Sequence, residues 1–582
     1  MTNNLRLYLW VALAAALFFN YQAWMADYGP RPGDSATAPG TGAQVIKPAN
    51  DLADQVPQAA ATPSPGSSAS PAAGSRVATG AGTGVGTSAA PAGELAQSAG
   101  VDASANVVHV RTDVLDLDIS TRGGTIQRVD LPKYQKVKGE ETPVRLENVD
   151  DPLTQYVLQS GLTGSGSTPN HLATFAAAQA SYDLDGRDEL RVPLTWMSEG
   201  IAVTKTYVFR RGEYRVDVEY AIQNHSDSAW QVAQYAQILR NDPRTKSSIF
   251  HYSSEKSQFH GPAIWDGTKY RKLDFAAGTD DSRLSIPVQN GWVAALQHHF
   301  VSAIVPPKDQ SFRFTLSGSG DEFRLAATGP TQTVPAGASG TIAATLYVGP
   351  KLQKELAATG PELARVADYG RLYFLAKPLF WLLDKAHGVT GNWGIAIILV
   401  TLMLKVLFYP LSEASGRSMA KMKLLAPRIK NLQETYKDDR EKLGKATMEL
   451  YQREKVNPVA GCLPMIVQMP VFLAFYWVLL EAVEMRQAPF AGWIHDLSSQ
   501  DPYYILPAIM AAAMFAQFKL NPAPPDPTQA KVMMIMPLVM SVTFAFFPSG
   551  LVLYWVTNTL ATMLQQWNIN RRIAAAPAAK RN

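Results

Sequence analysis

The stretch "GNWGIAIILVTLMLKVLFYP", Gly391 to Pro410, is apolar for almost its whole length, yet it carries Lys405. An ammonium at the centre of a bilayer costs roughly 2.5–3.5 kcal/mol on insertion scales. Two chemistries fit that lysine. It snorkels, because Pro410 lies only about 7 Å further along a helix at ~1.5 Å per residue. Or it stands in a polar cavity as counter-charge to an acidic group. Other polar residues sit in comparably apolar surroundings. Thr401 precedes Lys405 by one turn, Gln468 lies between Val467 and Met469, and Gln517 falls in a third run. Tyr554, Asn558 and Thr562 repeat at helical spacing, with Thr557 and Gln565 nearby. In lipid each of these would go unsatisfied, so they are expected to face inwards together and line a wet groove around Lys405.

That chemistry is binding. There is no HExxH, Walker or GxSxG pattern, and the single cysteine, Cys462, excludes an intrachain disulfide. No metal or cofactor is expected. In the β region His251 or His260 could be argued as catalytic, but no carboxylate pair supports them. The net charge of +4 is too small to argue for nucleic acid.

The elements that must position these residues follow from a segregated composition. Residues 1–26 hold an apolar run, Leu5 to Met25, long enough for an N-terminal transmembrane anchor. A cleaved signal peptide would want a small-residue site, and Ala23-Trp24-Met25 is not one. Residues 27–106 are rich in Ala, Gly, Ser and Pro and read as a disordered linker. From 107 to 349 the pattern has period two. Val216, Val218, Tyr220 and Ile222 alternate with Arg215, Asp217 and Glu219. Ile201, Val203, Tyr207 and Phe209 alternate likewise before the turn at Gly212. An antiparallel β-sandwich is predicted. Such folds can host sugar enzymes, but a docking or packing module is the default.

Residues 361–388 read as an amphipathic interfacial helix bent at Pro378. Five apolar segments then form an α-helical core at 391–410, 461–483, 503–520, 532–547 and 549–567, which with the anchor makes six transmembrane spans. Lys and Arg crowd 411–457 and the basic tail 568–582, whereas 484–501 holds only Arg486. The positive-inside rule puts both termini and the 411–457 connection in the cytoplasm and the β domain outside. Met422, Leu425, Ile429, Leu432 and Tyr436 space a coiled-coil seam, so that connection is predicted to be a helical hairpin. Its basic surface suits ribosomal RNA or anionic lipid heads, or is only a solvated face.

Over essentially the whole chain these motifs resemble the YidC/Oxa/Alb family of membrane insertases, in its Gram-negative form. The resemblance rests on "GNWGIAIILVTLMLK", "YPLSEASGRSMAKMK", "NPVAGCLPMIVQMPVFLAFYWVL", "EMRQAPFAGWIHDLSSQDPYYILP", "FPSGLVLYW" and, in the β region, "ISTRGGTIQRVDLPKY". It implies a multi-pass inner-membrane insertase and assembly chaperone, not an enzyme. Its expected partners are nascent membrane proteins, lipids, the ribosome and the Sec translocon with its accessory subunits. It also implies a groove open to the cytoplasm, whose cation attracts acidic residues of a client's short translocated tail. The family's Arg is matched here by Lys405, its client-contacting Thr by Thr401 and its client-contacting Tyr by Trp555. Gln468, Tyr554 and Asn558 complete the expected groove. Met469, Phe472, Met533, Met536 and Met540 are expected to form the apolar face along which the client leaves. Two further classes are weighed: a secondary transporter using Lys405 as substrate counter-ion, and a membrane-tethered carbohydrate-processing enzyme. The first would need paired broken helices and an inverted repeat, the second a carboxylate pair.

Overall fold

Alternation at period two builds the first half of the molecule. The computed structural model describes residues 107–242, 259–276, 278–436, 439–454, 463–520 and 527–575. The expected anchor at 1–26, the linker at 27–106, His251 and Cys462 lie outside the described residues. The chain divides into a β unit that ends at Val366 and a helical unit that begins at Ala367.

Among the described residues the β unit consists of an eleven-stranded and a nine-stranded sheet. One apolar cluster draws on both, with Trp292, Phe314, Phe323 and Tyr207 all buried in it. Strand Ile201–Arg210 pairs with Arg215–Asn224 in the register Phe209 to Val216 and Val203 to Ile222. This register puts Lys205 opposite Tyr220, on the core side. The alternation already placed a lysine at a core position, between Val203 and Tyr207. Its amine donates to the carbonyls of Gly123, Gly124 and Ser160 at 2.9, 3.1 and 2.8 Å. The rings of Tyr207, Phe175 and Tyr220 surround it at 5.1 to 5.8 Å. Burial pushes its pKa well below the usual lysine value. The Gly123-Gly124 turn runs at φ 73° and 57°, and a Cβ on Gly123 would strike the His171 carbonyl at 2.2 Å, so glycine is required there. Asp217 was expected on the outer face with Arg215. It is instead nearly buried, held by Arg215 of its own strand at 2.9 Å and, from the two neighbouring strands, by Arg210 at 2.6 Å and Thr345 at 2.7 Å.

The β unit does not stop at 349. Its last strand runs to Pro350, and helix α1 (Gln353–Thr359) and the turn Leu363–Val366 bury Leu356, Leu363 and Val366 in the same core. The helix expected over 361–388 therefore begins late, as α2 (Tyr373–Thr390). Glu362 at φ 54° and Gly370 at φ 61° interrupt the helical path before it. Along α2, Ala376, Leu379 and Leu383 are buried, while the exposed positions mix Lys377 and Lys385 with the apolar rings of Phe374 and Trp381.

The helical core comprises α3 (Trp393–Leu407), α6 (Leu463–Glu481), α7 (Ile505–Leu520), α8 (Pro527–Phe544) and α9 (Ser549–Ala575), with α4 (Tyr409–Thr435) and α5 (Arg440–Arg453) between α3 and α6. Among the described residues no single helix is long and apolar enough to cross a membrane. Trp393–Leu407 and Tyr409–Ser418 pass that test only together, as a pair bent by 59°. At 15 residues α3 rises about 22 Å, short of the ~30 Å hydrocarbon core. The bend falls where Pro410 offers no N–H to the carbonyl of Val406. The expected segments shift by two or three residues at several ends, and by more at two: α8 starts at Pro527 rather than at 532, and α9 continues to Ala575, so the described part of the expected basic tail, 568–575, is helix. Helix α4 carries Pro427 and packs on α5 through Leu425 and Ile429, which bury against Met422, Leu450 and Tyr451. Leu432 is only half-buried and stands outside this cluster. Two helices without a third layer enclose only the middle of their seam.

Candidate functional site

Three of the helices around the groove are held at one end by local devices. Asn392 caps α3 by accepting the Ile395 N–H at 3.1 Å, while its amide donates to the Phe490 carbonyl at 2.8 Å. Gly394 is needed beside that contact, because a Cβ there would overlap the Phe490 ring at 2.1 Å. The loop 487–501 is pinned at its end by Asp501. This carboxylate accepts from Trp493 Nε1 and the Tyr503 N–H at 3.0 Å and from the Leu506 N–H at 2.7 Å. The N–H groups of Ser549 and Gly550 donate to the Ser499 and Leu497 carbonyls at 2.7 and 2.9 Å. One loop thus ties together the ends of α3, α7 and α9.

Towards the other end of α3 the polar residues converge. The Lys405 amine donates to Thr562 Oγ1 at 2.8 Å and to Gln468 Oε1 at 3.3 Å. The Gln468 amide donates on to Asn558 Oδ1. Thr562 returns its own proton to the Asn558 carbonyl at 2.7 Å, and Gln565 Nε2 donates to the Lys405 carbonyl at 3.0 Å. No carboxylate among the described residues pairs with the amine. The amine points into the bundle, so snorkelling is not the arrangement seen.

Two cavities adjoin this cluster. The smaller, about 30 Å³, is lined by Thr401, Lys405, Gln468, Tyr554 and Asn558 with apolar neighbours. That is room enough to hold a water, which needs roughly 10–15 Å³ of such space. The larger, about 330 Å³, shares Gln468, Tyr554 and Asn558 and extends past Gln517, Thr559, Thr562, Gln565 and Gln566 to Met469, Phe472 and Trp555. One wall is polar and the other is greasy. A chain segment carrying both an acid and apolar side chains fits such walls.

Residues 385–576 match the family described as 60Kd inner membrane protein, and residues 107–382 match the YidC periplasmic domain. The chain is 44% identical to the membrane protein insertase YidC of Thioalkalivibrio sulfidiphilus, over 99% of each chain. The chain belongs to the YidC family of membrane protein insertases. It is likewise 46% identical to the YidC insertase of Methylococcus capsulatus, over 84% of this chain and 92% of that one. Against that of Azotobacter vinelandii it is 43% identical over 98% of both. Among solved structures it is similar to an active YidC insertase with its first transmembrane domain resolved, at 18% identity and a TM-score of 0.35, over 78% of this chain and 91% of that one. Neither a transporter nor a carbohydrate-processing enzyme is supported by this membership.

Within this YidC-family core the candidate residues separate into groups. Lys405, Gln468 and Asn558 share one hydrogen-bonded cluster. Thr401 lines the smaller cavity, but it is almost fully buried and its hydroxyl donates to the Ile397 carbonyl at 2.6 Å. Tyr554 is buried under the Phe475 ring, stacked at 4.7 Å, and Trp555 meets Phe472 edge-on at 4.7 Å. Met469 and Phe472 line the larger cavity. Met536, 46% exposed, and Met540 lie on α8 away from that lining. The Met533 side chain lies outside the described ones. Thr562 and Gln565 are polar partners that belong beside the named groove residues. Ser412 and Ser415 on α4 and Gln566 on α9, also in the lining, give no signal in sequence, since each lies in a stretch that already looks polar.

Proposed function

We propose that this YidC-family chain moves nascent membrane proteins from the groove around Lys405 into the bilayer. Lys405 supplies the attracting charge, Gln468, Asn558 and Thr562 keep its amine turned inwards, and Thr401, Tyr554 and Trp555 shape the walls. The reading is carried by one observation: a cation with no acidic partner among the described residues, at the smaller of two adjoining cavities, inside an apolar bundle. The outer surfaces support it. Leu399, Met403, Val406 and Leu407 on α3 and Ile535, Leu538, Val539 and Val542 on α8 are all at least 44% exposed. Soluble proteins rarely expose apolar patches of that extent, and lipid is the solvent that suits them.

The mechanism follows from those walls. An acidic group in a client's short tail is drawn to Lys405, which a polar wall keeps accessible. The client's apolar segment then passes Met469, Phe472, Met533, Met536 and Met540 into lipid. Burial of apolar surface, at about 25 cal/mol per Å², supplies the drive, so no nucleotide is needed. The finer topology belongs to the same reading: six spans with 391–410, essentially α3, as one of them, both termini and the hairpin over 411–457 in the cytoplasm, and the β unit in the periplasm. The basic hairpin surface suits a ribosome or lipid heads, and the Sec translocon with its accessory subunits is the natural co-worker for larger clients.

The test is photo-crosslinking to a ribosome-bound nascent membrane protein. Met469 and Gln517 are the sites to use, because Thr401 is too buried to report contact. Adducts from both are expected. A client that inserts without forming either adduct would overturn the groove as its path.

A further inference from the structure

Lys405 is gripped at both ends by one turn of α9. Thr562 accepts from its amine at 2.8 Å, and three residues on, Gln565 Nε2 donates to its backbone carbonyl at 3.0 Å. Residues three apart share a helix face, so both grips come from the same side of α9. The carbonyl concerned belongs to the last turn of α3, immediately before the 59° bend into α4. Carbonyls at a helix end have no partner further along that helix and need one from elsewhere. Pro410 makes this end poorer still, since it has no N–H to donate. Below the bend the same helix continues to hold α4. Gly416 approaches Ile569 so closely that a Cβ on it would lie 3.0 Å from the Ile569 side chain, and Ser415 is buried. From Thr562 to Ile569, α9 therefore spans the break like a splint.

We infer that Gln565 is a positioning residue that couples the helical hairpin to the groove. By holding the Lys405 carbonyl at the break, one amide sets both where the amine stands and the direction in which α4 departs. Thr562 acts on the amine alone, and Ile569 on α4 alone; Gln565 acts on the joint between them. Removal of its N–H leaves the end of α3 without this donor. The bend then relaxes, and the hairpin samples a wider range of angles while the amine loses its fixed place. This inference rests on the insertase reading for its consequence, but not for its geometry.

The experiment uses the full chain in lipid vesicles, with Cys462→Ser as background because it removes the only cysteine. Spin labels at Lys430→Cys on α4 and Arg572→Cys on α9, both exposed positions, report the hairpin distance by pulsed electron resonance. The parent is expected to give one narrow distribution. Gln565→Met, of similar length but without a donor, is expected to broaden it, and to lower insertion of an acidic-tailed client several-fold. Gln565→His, which retains an N–H at similar reach, is expected to restore both. Gln565→Ala serves as a second loss variant where Gln565→Met melts early. A narrow, unshifted distribution in both loss variants overturns the inference, and so does a broad one in Gln565→His. If the insertase reading itself fails, the parent inserts no client, and the distance measurement still decides the role of Gln565.

Discussion

Each of the two units holds a lysine where the sequence pattern calls for an apolar residue. In the β unit, Lys205 is fully buried, and three carbonyls and three rings occupy all the space around its amine. In the helical unit, Lys405 is half-buried, has two neutral side chains on its amine, and adjoins open volume. Neither has an acidic partner among the described residues. The difference teaches how a buried cation is recognised as structural or available. Three backbone acceptors in fixed places satisfy an ammonium completely and leave nothing for a ligand. Two side-chain acceptors and a neighbouring cavity leave one donor and a direction of approach.

The largest expected effect tests that contrast directly. Lys205→Met takes one N–H donor from each of three buried carbonyls; that of Gly124 keeps the Tyr207 hydroxyl, while those of Gly123 and Ser160 lose the amine, at about 1–3 kcal/mol for each group left unsatisfied. The β unit is expected to lose several degrees of melting temperature or to fail to fold, as read by calorimetry of the full chain. Lys405→Met is expected to melt no earlier than the parent yet to fail with acidic-tailed clients. Equal melting losses for the two substitutions would erase the contrast.

Next comes the sign of the charge. At an effective dielectric of ~20, an acid ~4 Å from Lys405 gains about 4 kcal/mol, part of which desolvation returns. Lys405→Arg is expected to stay active. Lys405→Glu is expected to lower translocation of acidic tails by at least about tenfold, equivalent to about 1.4 kcal/mol. Replacing the tail acids by Asn is expected to restore much of it. Protease accessibility of the tail in vesicles reads each combination, and equal translocation by the Lys, Gln and Glu forms would reject the counter-charge.

A smaller loss is expected at the hairpin. Ile429→Asp puts a carboxylate into a seam only two fully buried residues deep. Insertion in reconstituted vesicles is expected to fall several-fold while expression persists. An unchanged rate would leave the hairpin a topology signal and no more.

The β unit offers a pH test that sharpens its own side of the comparison. Glu147 is fully buried with the Ser302 hydroxyl on one oxygen at 2.5 Å and none on the other. Burial raises its pKa from 4.5 to about 7, against the lowering effects of the Ser302 hydrogen bond and the Arg240 charge. Between those values the unfolded chain has released its proton and the folded one has not, so stability falls as pH rises, reaching its minimum contribution above 7. At about 1.4 kcal/mol per pKa unit the penalty approaches ~3 kcal/mol. Glu147→Gln is therefore expected to stabilise the β unit at pH 8 and to change it little near pH 4. His171, whose burial lowers its pKa to about 4, works in the opposite sense as pH falls below 6.5. Comparison of the variant with its parent at each pH cancels that term. The smallest effect belongs to deletion of residues 107–366, which removes the whole β unit up to the observed boundary. Insertion of small clients is expected to survive it, and a null phenotype with the helical unit folded and abundant would reject that independence.

The sequence by itself determined the division into a period-two half and an apolar helical half, the presence of one cation in the groove helix, and the polar residues that accompany it. These are local signals, written within one strand or one turn of helix. The seam residues Leu425 and Ile429 were legible for the same reason, but Leu432 was not, because its burial depends on a third layer that the hairpin lacks. Only the tertiary structure decided what the amine of each lysine meets. The alternation shows Lys205 at a core position, yet its acceptors come from Ser160 and the Gly123-Gly124 turn, far away in the chain. The apolar run around Lys405 reads equally well as a snorkelling site, and the choice was made by Thr562 and Gln565 on a helix more than a hundred residues later. The charge of a side chain is local, but its desolvation is offset only by partners that folding brings from elsewhere.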